Sequence, residues 1–172
     1  MTRAARLRRS GAAIGCVVTV MAAFASERAD AATVCSVETL GVAFGTYEIV
    51  LPTPTDSNGN IDLVCTYEPT PGGPPPLVAV YFSAGSSGVL TDRRMTSATD
   101  TLRYNLYTDP ARTQIWGDGT SGTSFQSAQI RVGPGVGNAT RTVVFPIYGR
   151  IPALQSVDSG AYSDTIVVTV EF

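Results

Sequence analysis

The chain has 172 residues, of which 44% are hydrophobic and 15% charged, with a formal net charge of −2 and no histidine. This length suits one domain with a single substantial core. The acidic balance argues against a nucleic-acid partner, because phosphate binding needs a basic face. Without histidine, serine or cysteine hydrolysis in its usual form is excluded.

Residues 1–31 have the layout of a secretory signal peptide. Four arginines between residues 3 and 9 precede an apolar run over 11–24, and small residues follow up to Ala31. This order of charge, apolar core and small cleavage residues predicts export. We predict cleavage after Ala31, with cleavage after Ala25 as the alternative, and a domain over 32–172. Its net charge is −5, because the leader takes five of twelve arginines and two of fourteen acidic residues.

Two cysteines, Cys35 and Cys65, remain once Cys16 leaves with the leader. An even pair in an exported protein predicts a disulfide. Free thiols are the alternative. A metal site is less favoured, because two cysteines without histidine cannot fill a tetrahedral site. We expect no metal and no cofactor.

Short strand-like runs separated by Gly, Pro, Asp, Asn and Ser predict an all-β sandwich or barrel. The predicted strands lie at 42–47, 61–67, 77–82, 102–107, 113–116, 127–132 and 141–148. Turns are predicted at 56–59, where Asn58-Gly59 suits positive φ, and at 109–110 and 117–122. In the second strand Ile61, Leu63, Cys65 and Tyr67 share one face, so the disulfide should tie the first strand to the second.

The last predicted strand covers residues 162–172. Ile166, Val168, Val170 and Phe172 fall on one face, in the period-2 pattern of a half-buried strand. A strand of this kind at a sheet edge tends to be covered or used for pairing. These four residues are the candidate strand for binding a chaperone or a neighbouring subunit.

Most other polar residues are interpreted as structural. Asp56, Asp109, Asp118 and Asp158 stand beside turn residues and are predicted to cap turns. Five arginines (93, 94, 103, 112 and 150) are predicted to pair with Asp92, Asp100 or Asp109 at the sandwich rim. Trp116 and the tyrosines are predicted core or edge residues, with a sugar-binding or adhesive face as the alternative. We predict no catalytic residues and no enzymatic activity.

Several motifs together resemble the spore coat protein U domain family, which includes subunits of archaic chaperone/usher pili. The resemblance covers residues 35–172. It rests on Cys35-Ser-Val, Gly41-Val-Ala-Phe-Gly-Thr-Tyr47, Gly59-Asn-Ile-Asp-Leu-Val-Cys65, Arg93-Arg-Met95, the block from Leu102 to Thr120, Tyr148-Gly-Arg-Ile-Pro152 and Gly160-Ala-Tyr-Ser-Asp-Thr165.

This resemblance implies an immunoglobulin-like β-sandwich that is exported to the periplasm and lacks its last strand. It implies three partners that act by donor-strand pairing or assembly: a periplasmic chaperone, an outer-membrane usher and a neighbouring pilin subunit. The sequence departs from the family where a polymerising subunit carries a donor segment. Residues 26–34 hold Glu27, Arg28 and Asp30 and do not alternate.

The sequence therefore predicts a tip or minor subunit of a pilus at the cell surface, acting in attachment and biofilm formation. A self-contained secreted coat or envelope protein is the alternative. A small carbohydrate-binding module is less favoured.

Overall fold

The computed structural model describes residues 33–67, 73–131 and 139–172. The predicted signal peptide, the proposed cleavage sites and the glycine-rich stretch 133–137 lie outside these ranges. In the described part of the chain, no helix is long and apolar enough to cross a membrane.

The described residues form two antiparallel sheets. The strands are β1 (Val34–Leu40), β2 (Thr55–Tyr67), β3 (Leu77–Phe82), β4 (Arg93–Thr96), β5 (Thr101–Tyr107), β6 (Gln126–Gln129), β7 (Ala139–Ile151) and β8 (Val168–Glu171). The larger sheet has the order β1-β2-β7-β5-β4, and the smaller sheet has the order β6-β3-β8. Sheet edges are therefore β1 and β4 in the larger sheet, and β6 and β8 in the smaller.

One hydrophobic core joins the inner faces of both sheets, as a β-sandwich requires. Ile61, Leu63 and Cys65 from β2 are fully buried, as are Val78 and Val80 from β3. The predicted inward face of β2 is confirmed, and so is the central position of the strand over 77–82. The predicted all-β sandwich is likewise confirmed.

Cys35 and Cys65 form the predicted disulfide, and they lie directly opposite each other in the pairing of β1 with β2. Cys35 lies inside β1. The first strand is thus Val34–Leu40, and the predicted strand at 42–47 is wrong. Residues 41–48 follow β1 outside any named strand.

The predicted turn at 56–59 is also wrong, because these residues lie inside the 13-residue strand β2. Gly59 is needed there for space, since a Cβ atom would clash with the backbone oxygen of Leu40. A Cβ atom at Gly149 of β7 would lie 2.6 Å from Val42 Cγ1 and 2.7 Å from Phe44 Cζ. The chain after β1 therefore crosses the larger sheet over two positions that lack side chains.

Candidate functional site

The four residues predicted for strand pairing lie on or beside β8. Ile166, Val168 and Val170 are half-buried and pack against the core. Val167, between them, is 61% exposed, which confirms the predicted alternation up to residue 170. Phe172 lies just past the end of β8 and is 62% exposed.

The backbone of β8 has one free edge. The N–H of Ser83 donates to the carbonyl of Val167 at 3.0 Å, and the N–H of Val167 donates to Ser83 Oγ at 2.9 Å. Successive residues of a strand point their backbone groups to opposite sides. The N–H and C=O groups of Val168 and Val170 therefore point away from β3, where β8 has no strand partner among the described residues.

An open groove runs beside this edge. The first wall consists of residues 39–49, which include the end of β1 and the segment that follows it. The second wall consists of residues 157–168, which lead into β8. The wider part has a volume of about 670 Å³ and the narrower part, next to β8, about 330 Å³. Val42, Phe44, Met95 and Tyr162 line both parts, so the groove is continuous.

The groove exposes the sandwich core. Ile61, Leu106 and Ile147 of the larger sheet and Phe82 of the smaller sheet line its narrower part. In the described ranges, no backbone hydrogen bond joins the first wall to the second. The groove is thus an apolar slot between two segments that are not hydrogen-bonded to each other through their backbones, and an inserted strand could lie between them.

Two further residues line the groove that were not predicted as site residues. Val42 and Phe44 are half-buried, pack against the core and line the first wall. Their alternation with exposed Ala43 and Gly45 was the available signal. This alternation was interpreted as a strand paired within a sheet. Alternating burial reports which side chains face the core, but it does not report whether the backbone has a hydrogen-bonded neighbour.

A partly buried polar cluster lies at the second wall. Asp164 Oδ2 accepts a hydrogen bond from the Tyr104 hydroxyl at 2.7 Å, and Oδ1 accepts from the Ser86 N–H at 2.9 Å. Burial raises the pKa of Tyr104, and the hydrogen bond to Asp164 adds to that rise. Tyr104 is therefore a neutral donor at physiological pH.

Arg93 lies opposite Tyr104 in the pairing of β4 with β5, and its predicted place at the rim is wrong. Its side chain is fully buried, and its guanidinium donates to the carbonyls of Ser83 and Trp116 and to Asn105 Oδ1, each at 2.7 Å. Burial lowers the pKa of Arg93, and the negative charge of Asp164 opposes that shift. The guanidinium remains protonated at physiological pH, because the pKa of an arginine lies far above that range.

Other polar residues divide between turns and ion pairs. Asp109 and Asp118 accept hydrogen bonds from nearby backbone N–H groups, which confirms them as turn caps. Asp56 is not a cap but pairs with Arg150 and Arg112. Arg94 and Arg103 both pair with Asp92. The predicted pairing with Asp92 is thus confirmed for Arg94 and Arg103, whereas Arg112 and Arg150 pair with Asp56 instead of the predicted aspartates.

Asp158 lines the groove rather than capping a turn, because its carboxylate accepts a hydrogen bond from Thr99 Oγ1 at 3.4 Å and not from a nearby backbone N–H. Trp116 is fully buried and stacks on Phe82, with the ring centroids 4.2 Å apart. Trp116 thus belongs to the core and not to an adhesive face.

The chain belongs to the Spore Coat Protein U domain family, whose sequence model matches residues 20–169. Protein U of Myxococcus xanthus is 38% identical over 95 residues, which is 54% of this chain and 48% of that protein. The chain therefore spans about half the length of this curated relative.

A solved structure has the same fold. It is the CsuC–CsuE chaperone–tip adhesion subunit pre-assembly complex from the archaic chaperone-usher Csu pili of Acinetobacter baumannii. The likeness has a TM-score of 0.51 at 21% identity, and it covers 82% of this chain and 40% of the matched chain. At this identity the comparison establishes the fold.

Proposed function

We propose that this protein is an exported, non-enzymatic subunit of a chaperone-usher pilus that accepts a strand from a partner in the open groove. The observation that carries the proposal is the free edge of β8 beside an apolar slot into the core. Unpaired strand edges and exposed core surface are costly unless a partner covers them. Strand addition supplies both the backbone pairs and the apolar side chains.

The partners follow from the same geometry. The walls comprise residues 39–49 and 157–168, so a partner strand that runs along both would need about ten residues. During export that strand would come from a periplasmic chaperone. After passage through an outer-membrane usher it would come from a neighbouring subunit. The fold shared with a subunit in a chaperone complex supports this assignment.

We further propose a tip or minor position in the pilus, with a role in surface attachment and biofilm formation. The sequence before Cys35 supports this position, because the charges at Glu27, Arg28 and Asp30 suit a donor strand poorly. Export would use residues 1–31 as a signal peptide. Mass analysis of the exported protein should then give Ala32 as its first residue.

A self-contained coat or envelope protein is the second candidate. It is favoured by the family's description and by the 38% identity to Protein U. In that case the groove would need no partner, and the chain would be stable alone.

Paired substitutions in β8 test strand acceptance. Val168→Asp places a charge in the groove, where burial without a partner is costly, whereas Val167→Asp places the same charge on a 61% exposed position of the same segment. We expect Val168→Asp, and more strongly Val168→Asp with Val170→Asp, to abolish chaperone co-purification and recovery of soluble protein. Val167→Asp should retain both. Equal behaviour of the Val167 and Val168 variants would contradict the proposal.

A further inference from the structure

The two walls of the groove are held by side chains. Walls that moved together would bury the apolar residues lining the groove, so the width of the groove depends on what holds each wall in place. Here the walls stand apart around about 670 and 330 Å³. Hydrogen bonds run from each wall to the body of the sandwich, and in the described ranges no backbone hydrogen bond crosses the slot.

Asp164 fixes the second wall. Its carboxylate joins the segment before β8 to the Tyr104 hydroxyl on β5 and to the Ser86 N–H in the turn after β3. One residue earlier, Ser163 exchanges backbone hydrogen bonds with Thr96 of β4, at 2.8 and 3.1 Å. Together these contacts pull the second wall toward β4 and β5 and away from the slot.

Tyr47 fixes the first wall. Its hydroxyl donates to the carbonyl of Pro152 at 2.9 Å and accepts from the N–H of Gln155 at 2.8 Å. The Gln155 side chain in turn exchanges hydrogen bonds with the backbone of Arg103 on β5, each at 2.9 Å. The first wall is thus tied to the same strand as the second.

We infer that Tyr47 and the Tyr104–Asp164 pair are positioning residues for strand acceptance, which hold the groove open before the partner strand arrives. The inference rests on the proposed function. Walls that are already ordered spare the partner strand the entropic cost of ordering them. We therefore expect Tyr47 and the Tyr104–Asp164 pair to affect the rate at which the partner strand associates, not the rate at which it dissociates. Once a strand is inserted, its own backbone pairs hold both walls.

Two substitutions remove only the hydroxyl groups concerned, Tyr47→Phe and Tyr104→Phe. Tyr148→Phe is the matched control, because Tyr148 lies on β7, lines neither part of the groove and stacks beneath Arg112. The probe is a fluorescent ten-residue peptide with valine at alternate positions and serine or lysine between them. Anisotropy at nanomolar protein concentration gives its association and dissociation rates.

We expect each wall variant to slow peptide association about five- to tenfold, the effect of losing one hydrogen bond, and to leave dissociation within about twofold. A second measurement separates positioning from general stability. With the same peptide fused after Phe172 through a flexible linker, all three variants should melt within a few degrees of the parent fusion.

Unchanged association in both wall variants would overturn the inference while leaving strand acceptance intact. So would a large loss of melting temperature in the fused Tyr47 and Tyr104 variants, because their role would then be structural in the completed fold. Failure of the unsubstituted chain to bind the peptide would instead sink the proposed function itself.

Discussion

Arg93 stabilises the sandwich from inside, which is unusual for an arginine. Its donors satisfy the carbonyls of Ser83 and Trp116 and the side chain of Asn105, so removing the guanidinium leaves buried acceptors unpaired. We expect Arg93→Met to lower the free energy of unfolding of the peptide-fused protein by about 3–5 kcal/mol. Urea denaturation measures the change.

The adjacent arginine provides the control. The Arg94 side chain is 44% exposed and pairs with Asp92 at the surface, where such pairs contribute about 1 kcal/mol or less. Arg94→Met should therefore have a small effect. If Arg93→Met and Arg94→Met lowered the free energy of unfolding by similar amounts, the buried hydrogen bonds of Arg93 would contribute no more than a surface ion pair.

Gly149 sets the position of the first wall. A methyl group there would meet Val42 and Phe44 at 2.6–2.7 Å, whereas a methyl group at Gly41 would meet nothing within 4 Å. We expect Gly149→Ala to destabilise the fused protein by about 1–3 kcal/mol through overpacking. Gly41→Ala should be close to neutral. A neutral Gly149→Ala would mean that the crossing segment does not rest on β7.

Asp56 provides a pH-dependent contribution. The hydrogen bond from Arg150 lowers the pKa of Asp56 below 3.8, with partial burial opposing it and the nearby Arg112 charge adding to it. A carboxylate with a lowered pKa stabilises the fold above its unfolded pKa, and this contribution is lost as the pH falls through the folded pKa. Asp56→Asn should cost about 0.5–1 kcal/mol at pH 7 and less near pH 2, as measured by urea unfolding at both pH values. An equal cost at the two pH values would rule out the ion pair as its source.

At the scale of elements, the disulfide fastens an edge strand. It joins β1 to β2 across 30 residues of chain, and β1 has a sheet neighbour on one side only in the described structure. Replacing both cysteines with alanine should cost about 3–4 kcal/mol by the loop-entropy relation, and more where burial of Cys65 is lost. Denaturation of the fused protein tests this. An unchanged unfolding free energy would indicate that β1 is held by pairing alone.

The inward faces of β2, β3 and β5 could be predicted from the sequence, because alternation reports burial directly. The disulfide followed from the number of cysteines. The turn predicted at Asn58-Gly59 was wrong. Gly59 is needed there because the backbone of Leu40 passes too close to leave space for a Cβ atom. Leu40 is far from Gly59 in the sequence, so the local pattern does not show this contact. The first wall and the buried Arg93 were missed for a related reason. Backbone pairing and satisfaction of a buried cation depend on residues far apart in the sequence.

At the scale of the whole molecule, a five-stranded sheet faces a three-stranded sheet, and the groove lies where the smaller sheet stops at β8. Core residues of both sheets line that opening. Strand acceptance would cover them and pair the free groups of Val168 and Val170. A single inserted strand would therefore supply hydrogen-bond partners for the free edge of β8 and cover the exposed core residues.

The most direct test compares thermal unfolding of the exported chain alone with unfolding of the same chain carrying a fused strand peptide. We predict that the chain alone aggregates at micromolar concentration or melts more than about 10 °C below the fusion, since several kcal/mol of pairing and burial are missing. The fusion should melt cooperatively as a monomer. A chain that alone is a stable monomer with a cooperative transition, unchanged by the fused strand, would contradict the account and favour the self-contained coat protein.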